Sequence, residues 1–87
     1  MHADKKQIIK LLNTAKGQIE GINKMIENDK YCIDISNQIL ASIAILKKAN
    51  IEILEAHLKH CVVNAENIEE RKQKMEEVSQ ILKKVAK

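Results

Sequence analysis

The sequence predicts an all-α protein built from three helices. Its 87 residues include no proline and only two glycines, so the residues that usually punctuate strands and turns are nearly missing. Apolar residues make up 45% of the chain and aromatic residues 1%, so isoleucine, leucine and alanine supply the apolar surface, beside abundant lysine and glutamate. This is a helical composition. We expect one domain over residues 1–87, with helices at about 4–28, 31–63 and 67–86.

The same composition indicates where the protein works. The chain opens on a polar segment without a secretory signal, and its longest apolar stretch, Ile39–Leu46, is too short to span a bilayer. We therefore expect a cytoplasmic protein with no membrane partner, in which cysteines usually stay reduced. Cys32 and Cys61 stand 29 positions apart without a C-x-x-C motif, which favours metal or redox chemistry over a structural disulfide.

Helix one has an apolar face and a polar face. Asp4 is a suitable N-cap because Gln7 follows at capping-box spacing. The apolar face repeats at helical spacing and comprises Ile8, Leu11, Leu12, Ala15, Ile19, Ile22 and Ile26. The opposite face comprises Lys6, Lys10, Asn13, Gly17, Gly21 and Lys24. Because the two glycines expose backbone, this face either admits a large partner or is a solvated lysine face with glycines for helix packing.

Helix two is predicted to begin after Asp29 as its N-cap, which would put Cys32 at the third helical position. There the positive end of the helix dipole favours a thiolate, whereas the alternative is a small buried apolar residue. The middle of this helix is apolar nearly all round, with Ile39, Leu40, Ala41, Ile43, Ala44, Ile45 and Leu46. Such a helix must be covered on several sides, and an 87-residue chain has little else to cover it. We therefore expect self-association.

Helix three is predicted to open at Asn67, because Glu70 follows at capping-box spacing. Its apolar residues form a coiled-coil-like seam of Ile68, Met75, Val78, Leu82 and Val85. The three helices account for the chain without a linker, repeat or low-complexity tail.

His57 and Cys61 indicate a metal site. Four residues apart on a helix, they share one face with about 6 Å between Cβ atoms, as two ligands of one metal need. Cys32 is the other cysteine and the candidate third ligand, but about 44 Å of straight helix would separate it from Cys61. In an antiparallel two-fold dimer, Cys32 of one subunit can meet His57 and Cys61 of its partner, and symmetry makes two such sites.

Two thiolates and one imidazole suit a three-coordinate Cu(I) site, and Zn(II) would fit with a fourth ligand. His60 points about 100° away from Cys61 around the helix, so we interpret it as a surface histidine. His2 lies in a segment expected to be mobile and is a candidate extra ligand. Tyr31 and Glu77 are candidates for hydrogen bonds that orient a metal-bound histidine, although the spacing of Glu77 equally suits an ordinary exposed acid.

Several segments together resemble the CsoR/RcnR family of bacterial metal-sensing repressors. They are Gly17-Gln18, Tyr31-Cys32-Ile33-Asp34, Gln38-Ile39 and His57-Leu58-Lys59-His60-Cys61-Val62, and the match spans nearly the whole chain. The resemblance implies a three-helix subunit, an antiparallel dimer that forms a four-helix bundle, and a dimer of dimers. It also implies an apo form that binds operator DNA and releases it when an inducer occupies the Cys32 and His57/Cys61 site.

Within that family, the Cys-His-Cys set is similar to the copper-sensing branch. Members that sense sulfane sulfur keep the two cysteines but typically lack the histidine, so His57 favours Cu(I) as the inducer. Nickel and cobalt sensors typically add an N-terminal histidine. Because of His2, nickel therefore stays an alternative inducer. Zinc also stays an alternative inducer. Tyr31 and Glu77 fall where the copper sensors place their outer hydrogen-bonding pair.

The chain departs from the family at its DNA-binding positions. Family members usually carry arginines on helix one and in helix two, where this sequence has Leu11, Lys16 and Lys48. Arginine is the better partner for phosphate and guanine, and the net charge of +3 is low, although assembly multiplies it. The candidate DNA contacts are Lys6, Lys10, Asn13, Lys16, Gln18, Lys24 and Lys48.

Two alternatives to a copper-responsive repressor stay open at this point. A copper or sulfane-sulfur carrier would keep the helical bundle and the site without binding DNA. A persulfide-sensing repressor would instead link Cys32 to Cys61 of the partner through a disulfide or polysulfide. No catalytic residues are predicted, because the sequence has no base-activated nucleophile, phosphate loop or paired carboxylates in an apolar setting.

Overall fold

The computed structural model describes residues 1–86 and contains three α-helices in that range. They are α1 (Lys5–Glu27), α2 (Cys32–Asn64) and α3 (Ile68–Val85), and no strand occurs between residues 1 and 86. The all-α fold class is confirmed, and each helix end lies one residue from its predicted place. None of these three helices is long and apolar enough to cross a membrane.

The turn between α1 and α2 corrects one prediction. Asp29 is not the N-cap of α2, because it has a positive φ of 49° and belongs to the end of α1. The amide of Lys30 donates to the carbonyl oxygen of Met25 at 3.0 Å, and the amide of Asp29 donates to that of Ile26 at 3.1 Å. This is a Schellman arrangement, in which the left-handed residue that follows a helix is usually glycine or asparagine. Aspartate tolerates that conformation better than most residues.

Cys32 is consequently the first residue of α2 instead of the third. The carbonyl oxygen of Tyr31 accepts a hydrogen bond from the amide of Ile35 at 3.1 Å, so Tyr31 occupies the N-cap position. The cysteine still lies at the helix N-terminus, and its side chain is exposed.

The start of α3 agrees with the sequence. Asn67 is the N-cap, and its side-chain oxygen accepts from the amide of Glu70 at 2.7 Å. The carboxylate of Glu70 in turn accepts from the amide of Glu66 at 3.1 Å. These reciprocal bonds satisfy amides that the first turn of a helix cannot pair internally.

By its internal contacts the chain divides into two compact units. The α1–α2 unit spans Lys5–Ala49, and the α2–α3 unit consists of Met1–Asp4, the second half of α2 and α3. In the α1–α2 unit the buried residues are Ile8, Ala15, Ile22, Ser42 and Ala49. In the α2–α3 unit they are Leu54 and Val78.

A side-chain hydrogen bond ties α1 to α2 within the α1–α2 unit. The hydroxyl of the buried Ser42 lies 2.9 Å from Oε1 of Gln18, and 3.3 Å from the carbonyl oxygen of Gln38. Because buried hydroxyls are costly when unpaired, this contact fixes the rotation of both helices. It places one polar pair in the otherwise apolar seam between them.

Much of the apolar surface is exposed in the isolated chain. Among residues 1–86 no large side chain is completely buried, and the seven-residue apolar face of α1 buries only Ile8, Ala15 and Ile22. The large exposed residues in the first two thirds of α2 are Ile33, Ile39, Leu40, Ile43, Leu46 and Ile51. An exposed apolar surface of this kind usually marks a protein interface. Its extent agrees with the self-association predicted from the sequence.

Candidate metal centre

The ring of His57 and the thiol of Cys61 face each other one turn apart on α2. The distance between Nε2 of His57 and Sγ of Cys61 is 3.5 Å, and both side chains are half-buried. Helix geometry brings them together, since residues four apart are stacked on the same face. The contact joins a soft sulfur donor to an imidazole nitrogen.

This separation fits two ligands of a single metal ion. Metal–sulfur and metal–nitrogen bonds of about 2.3 and 2.0 Å at a roughly tetrahedral angle place the two donor atoms about 3.5 Å apart. The two side chains therefore need little movement to exchange their shared proton for a metal. The Cys61 thiol must lose its proton to bind a metal as the thiolate, so metal affinity at this pair depends on pH.

Among residues 1–86 the pair has no third metal ligand beside it. No group of three or more histidine, cysteine, aspartate or glutamate side chains among residues 1–86 is arranged to hold a metal ion. Cys32, the predicted third ligand, opens α2, whereas Cys61 lies near the other end of the same helix. Its exposed thiol is available to a second molecule.

His2 lies against the histidines of α2, within the α2–α3 unit. Its ring centroid is 3.6 Å from that of His60 with an angle of 14° between the planes, which is a stacked pair. The His2 and His57 centroids are 6.0 Å apart. The stacking withdraws one ring face from water and lowers the pKa of His2, and the charges of His60, the terminal ammonium and His57 lower it further.

The remaining candidates around the metal pair are exposed. Tyr31 precedes α2 and has 68% of its surface accessible, and Glu77 is an exposed residue of α3. Their hydrogen bonds to a metal-bound His57 stay predictions.

Sequence reasoning missed Asn64, the last residue of α2. Its side-chain nitrogen contacts both the ring and the carbonyl oxygen of His60.

The candidate DNA-contacting residues of α1 share a helix face. Lys6, Lys10 and Asn13 line a shallow depression together with Ile9 and Thr14. The face continues along the helix at Gly17, where an added Cβ would meet nothing within 4 Å. The described chain therefore leaves the backbone open to a close partner here.

The other candidate DNA contacts fall into two groups. Lys16, Lys24 and Lys48 are exposed. Gln18 is half-buried, and its side-chain oxygen is engaged by Ser42. Its first role in the structure is therefore to hold α1 against α2.

A model of one protein family, described as metal-sensitive transcriptional repressor, matches residues 4–84. This range contains nearly all of the three helices and the His57–Cys61 pair. The chain belongs to the metal-sensitive transcriptional repressor family. The family resemblance inferred from the sequence is thus confirmed, and the family consists of repressors rather than enzymes.

Similar repressors of known name support the assignment. The copper-sensing transcriptional repressor CsoR of Bacillus subtilis is 39% identical over 84 residues, which cover 97% of this chain and 83% of that protein. The copper-sensing transcriptional repressor RicR of Mycobacterium tuberculosis is 46% identical over 56 residues, covering 64% of this chain and 58% of RicR.

A solved structure shows the same repressor fold. The copper-sensing repressor CsoR of Geobacillus thermodenitrificans, crystallised with Cu(I), superposes with a TM-score of 0.80 at 36% identity. The match covers 100% of this chain and 94% of that one. The three-helix architecture of this repressor is therefore that of the CsoR fold.

The stacked pair predicts how His2 titrates in the metal-free repressor. The pKa of His2 is lowered, which means that the stacked arrangement favours the neutral ring. Stacking is therefore fully present at pH values above the usual histidine pKa and is lost as the pH falls through the His2 pKa. His60→Gln should move the His2 pKa back towards its usual value. His57→Gln should move it less, because the His57 charge contributes less. The measurement is an NMR titration of the histidine rings, and an ordinary His2 pKa in the wild type would contradict the stacking.

Proposed function

We propose that this protein is a Cu(I)-responsive repressor that binds operator DNA when metal-free and releases it when Cu(I) binds. The observation that carries the proposal is the 3.5 Å His57–Cys61 pair, which has the spacing of two metal ligands and no third ligand in its own described chain. Cys32 of a second protomer completes the site. Cu(I) is stable with three soft or borderline ligands, which two thiolates and one imidazole supply.

Self-association of antiparallel α2 helices supports this shared site. The exposed apolar residues of α2 include Leu40, of which 59% is accessible, and Ile43, of which 42% is accessible. An antiparallel pair of α2 helices would bury this surface and would bring the start of one helix beside the end of the other. The same packing thus supplies both the missing apolar contacts and the missing ligand. We propose a homodimer of this kind, paired into a homotetramer.

The connection to DNA runs through the α1–α2 unit. Cys32 follows the Schellman turn that closes α1, only three residues after Asp29. Movement of Cys32 towards a metal is therefore transmitted to the end of α1, and the Gln18–Ser42 hydrogen bond makes α1 follow α2. Because α1 carries the lysine face, ligation of Cys32 changes how those lysines are presented to DNA.

Copper is favoured over the carrier and persulfide alternatives. The relatives described above are named copper-sensing repressors, and the chain belongs to a repressor family. His57 is also a specific requirement of metal binding, because disulfide or polysulfide formation between Cys32 and Cys61 uses no imidazole. The lysines at positions 16 and 48 keep positive charge at two of the three positions where the family resemblance implies arginine; Leu11 does not.

His57→Ala is expected to uncouple the repressor from copper. Fluorescence anisotropy would follow binding to duplex DNA from upstream of the protein's own gene. Saturating Cu(I) should weaken wild-type binding by about tenfold to a hundredfold, the usual range of allosteric coupling, and should have little effect on His57→Ala. Lys59→Ala, an exposed neighbour on the same helix, serves as the control and should respond like wild type. Unchanged DNA affinity of the wild type at copper saturation would refute the proposed function.

Lys10→Ala is expected to weaken DNA binding without altering copper affinity. Removing one lysine–phosphate interaction should reduce the slope of log affinity against log salt by about 0.9. Lys72→Ala, which removes an exposed lysine from α3, is the matched control and should leave the slope unchanged. Equal effects of the two substitutions would show that α1 is not the DNA-binding face.

A further inference from the structure

Ser42 is the buried polar side chain among residues 1–86, and it lies in the seam between α1 and α2. The other buried residues of this α1–α2 unit are apolar, namely Ile8, Ala15, Ile22 and Ala49. An alanine in place of the serine would fill nearly the same volume, would favour the helix more and would bury no hydroxyl. Packing and helix propensity therefore do not explain the serine.

The hydroxyl of Ser42 has one proton and two acceptors within reach. Oε1 of Gln18 on α1 lies at 2.9 Å, and the carbonyl oxygen of Gln38, one turn earlier on α2, lies at 3.3 Å. Since a hydroxyl donates only one hydrogen bond, the shorter contact receives the proton, and the bond joins the two helices. The carbonyl oxygen of Gln38 would satisfy Ser42 within its own helix. Gln18 is therefore not needed to pair the hydroxyl, and its contact is better explained by what it does to α1.

The apolar contacts of this seam define the register of the two helices only weakly. On α1 the buried residues Ile8, Ala15 and Ile22 recur every seven residues, and on α2 Ser42 and Ala49 are also seven apart. A seam with this repeat packs in a similar way after a slide of two turns, and its three small side chains offer little resistance to shorter slides. A polar pair meets at one register only, and single polar residues in such seams are known to specify register.

The rotation of α1 determines where its lysine face points. Lys10 stands eight residues before Gln18, about 12 Å away along the axis of the same helix. A helix turns as one body over this length, so a change of rotation at Gln18 turns Lys10 and Asn13 by the same angle. A shift of one residue in the seam is a rotation of about 100°, which would carry both side chains away from a partner that faces them.

We propose that Gln18 and Ser42 are positioning residues for DNA binding, because their hydrogen bond fixes the rotation and register of α1 on α2 and so presents the lysine face to DNA. Gln18 is half-buried and acts through the orientation of its helix, instead of contacting DNA as its place among the candidate DNA contacts implied. This inference rests on the proposed function for the role of DNA, whereas the register is a property of the α1–α2 unit alone.

Ser42→Ala and Gln18→Leu should each weaken DNA binding by the metal-free protein about tenfold, within the usual range of coupling between separate sites. Both substitutions replace a polar group of the seam with an apolar one, so the midpoint of thermal unfolding should not fall. The double variant should bind no more weakly than either single variant, because the same bond is removed in all three. Fluorescence anisotropy with duplex DNA from upstream of the protein's own gene would measure the three affinities.

Three results of this comparison would overturn the proposal. Wild-type DNA affinity in Ser42→Ala would show that the bond does not position α1. Losses that multiply in the double variant would show that Gln18 contacts DNA independently of Ser42. A loss of affinity that appears only with a lower unfolding midpoint would show that the pair contributes to stability alone.

Ser36→Ala is the matched control. Ser36 is an exposed residue of α2, six residues before Ser42, so its substitution removes a hydroxyl from the same helix without altering the seam. Its DNA affinity should equal that of the wild type. An equal loss in Ser36→Ala would assign the effect to α2 in general and would overturn the proposal.

Electron paramagnetic resonance measures the register without DNA. Spin labels would be attached through Glu20→Cys on α1 and Lys47→Cys on α2, both exposed positions, in a Cys32→Ser/Cys61→Ser background. Dilution into unlabelled protein restricts the measured distances to single chains. The intact pair predicts one narrow distance, and Gln18→Leu/Ser42→Ala predicts a broader or displaced distribution. An unchanged distribution would overturn the proposal. If the wild type does not bind DNA, the proposed function fails, and this distribution still decides whether the pair sets the register.

Discussion

The contact between His57 and Cys61 is the interaction on which the proposed function of this repressor depends. One helical turn sets their spacing, and the 3.5 Å between their donor atoms is that of two ligands around one metal. Two ligands make an incomplete site, and among residues 1–86 no third histidine, cysteine or carboxylate completes it. A metal bound to the pair would therefore need a further ligand from a second molecule, as proposed above. Cys32, exposed at the N-terminus of α2, is the thiol best placed to give it.

The exposed apolar surface of α2 also favours contact with a second protomer, but for a different physical reason. A chain in which no large side chain among residues 1–86 is completely buried would gain much of its stability from association. If α2 helices associate antiparallel, the apolar contacts and the metal ligands are completed together. Metal binding and assembly geometry would then be coupled, which is what a switch between two DNA affinities needs. In the proposed mechanism the α1 helix, joined to Cys32 by a short turn, would carry the change to the lysine face.

Periodicity and capping patterns predicted the three helices to within one residue at each end, because local hydrogen bonding determines where helices start and stop. The same local rules misassigned Asp29, since an aspartate can cap a following helix or close a preceding one, and only the backbone conformation distinguishes them. The His57–Cys61 pair was predictable because it depends on helix geometry alone. The stacking of His2 and the amide bonds of Asn64 were not. The stacking of His2 depends on where the segment before α1 lies, and the bonds of Asn64 depend on the orientation of its side chain.

Mixed dimers test the shared metal site directly by complementation. Cys32→Ser protomers and His57→Ala/Cys61→Ser protomers, each carrying a different affinity tag, would be co-expressed and the heterodimer purified. Shared sites predict that the heterodimer binds about one Cu(I) in competition with a strong chelator, because one of its two sites has all three ligands. Both parent homodimers should lose such binding. A heterodimer that binds no more Cu(I) than its parents would contradict the shared site.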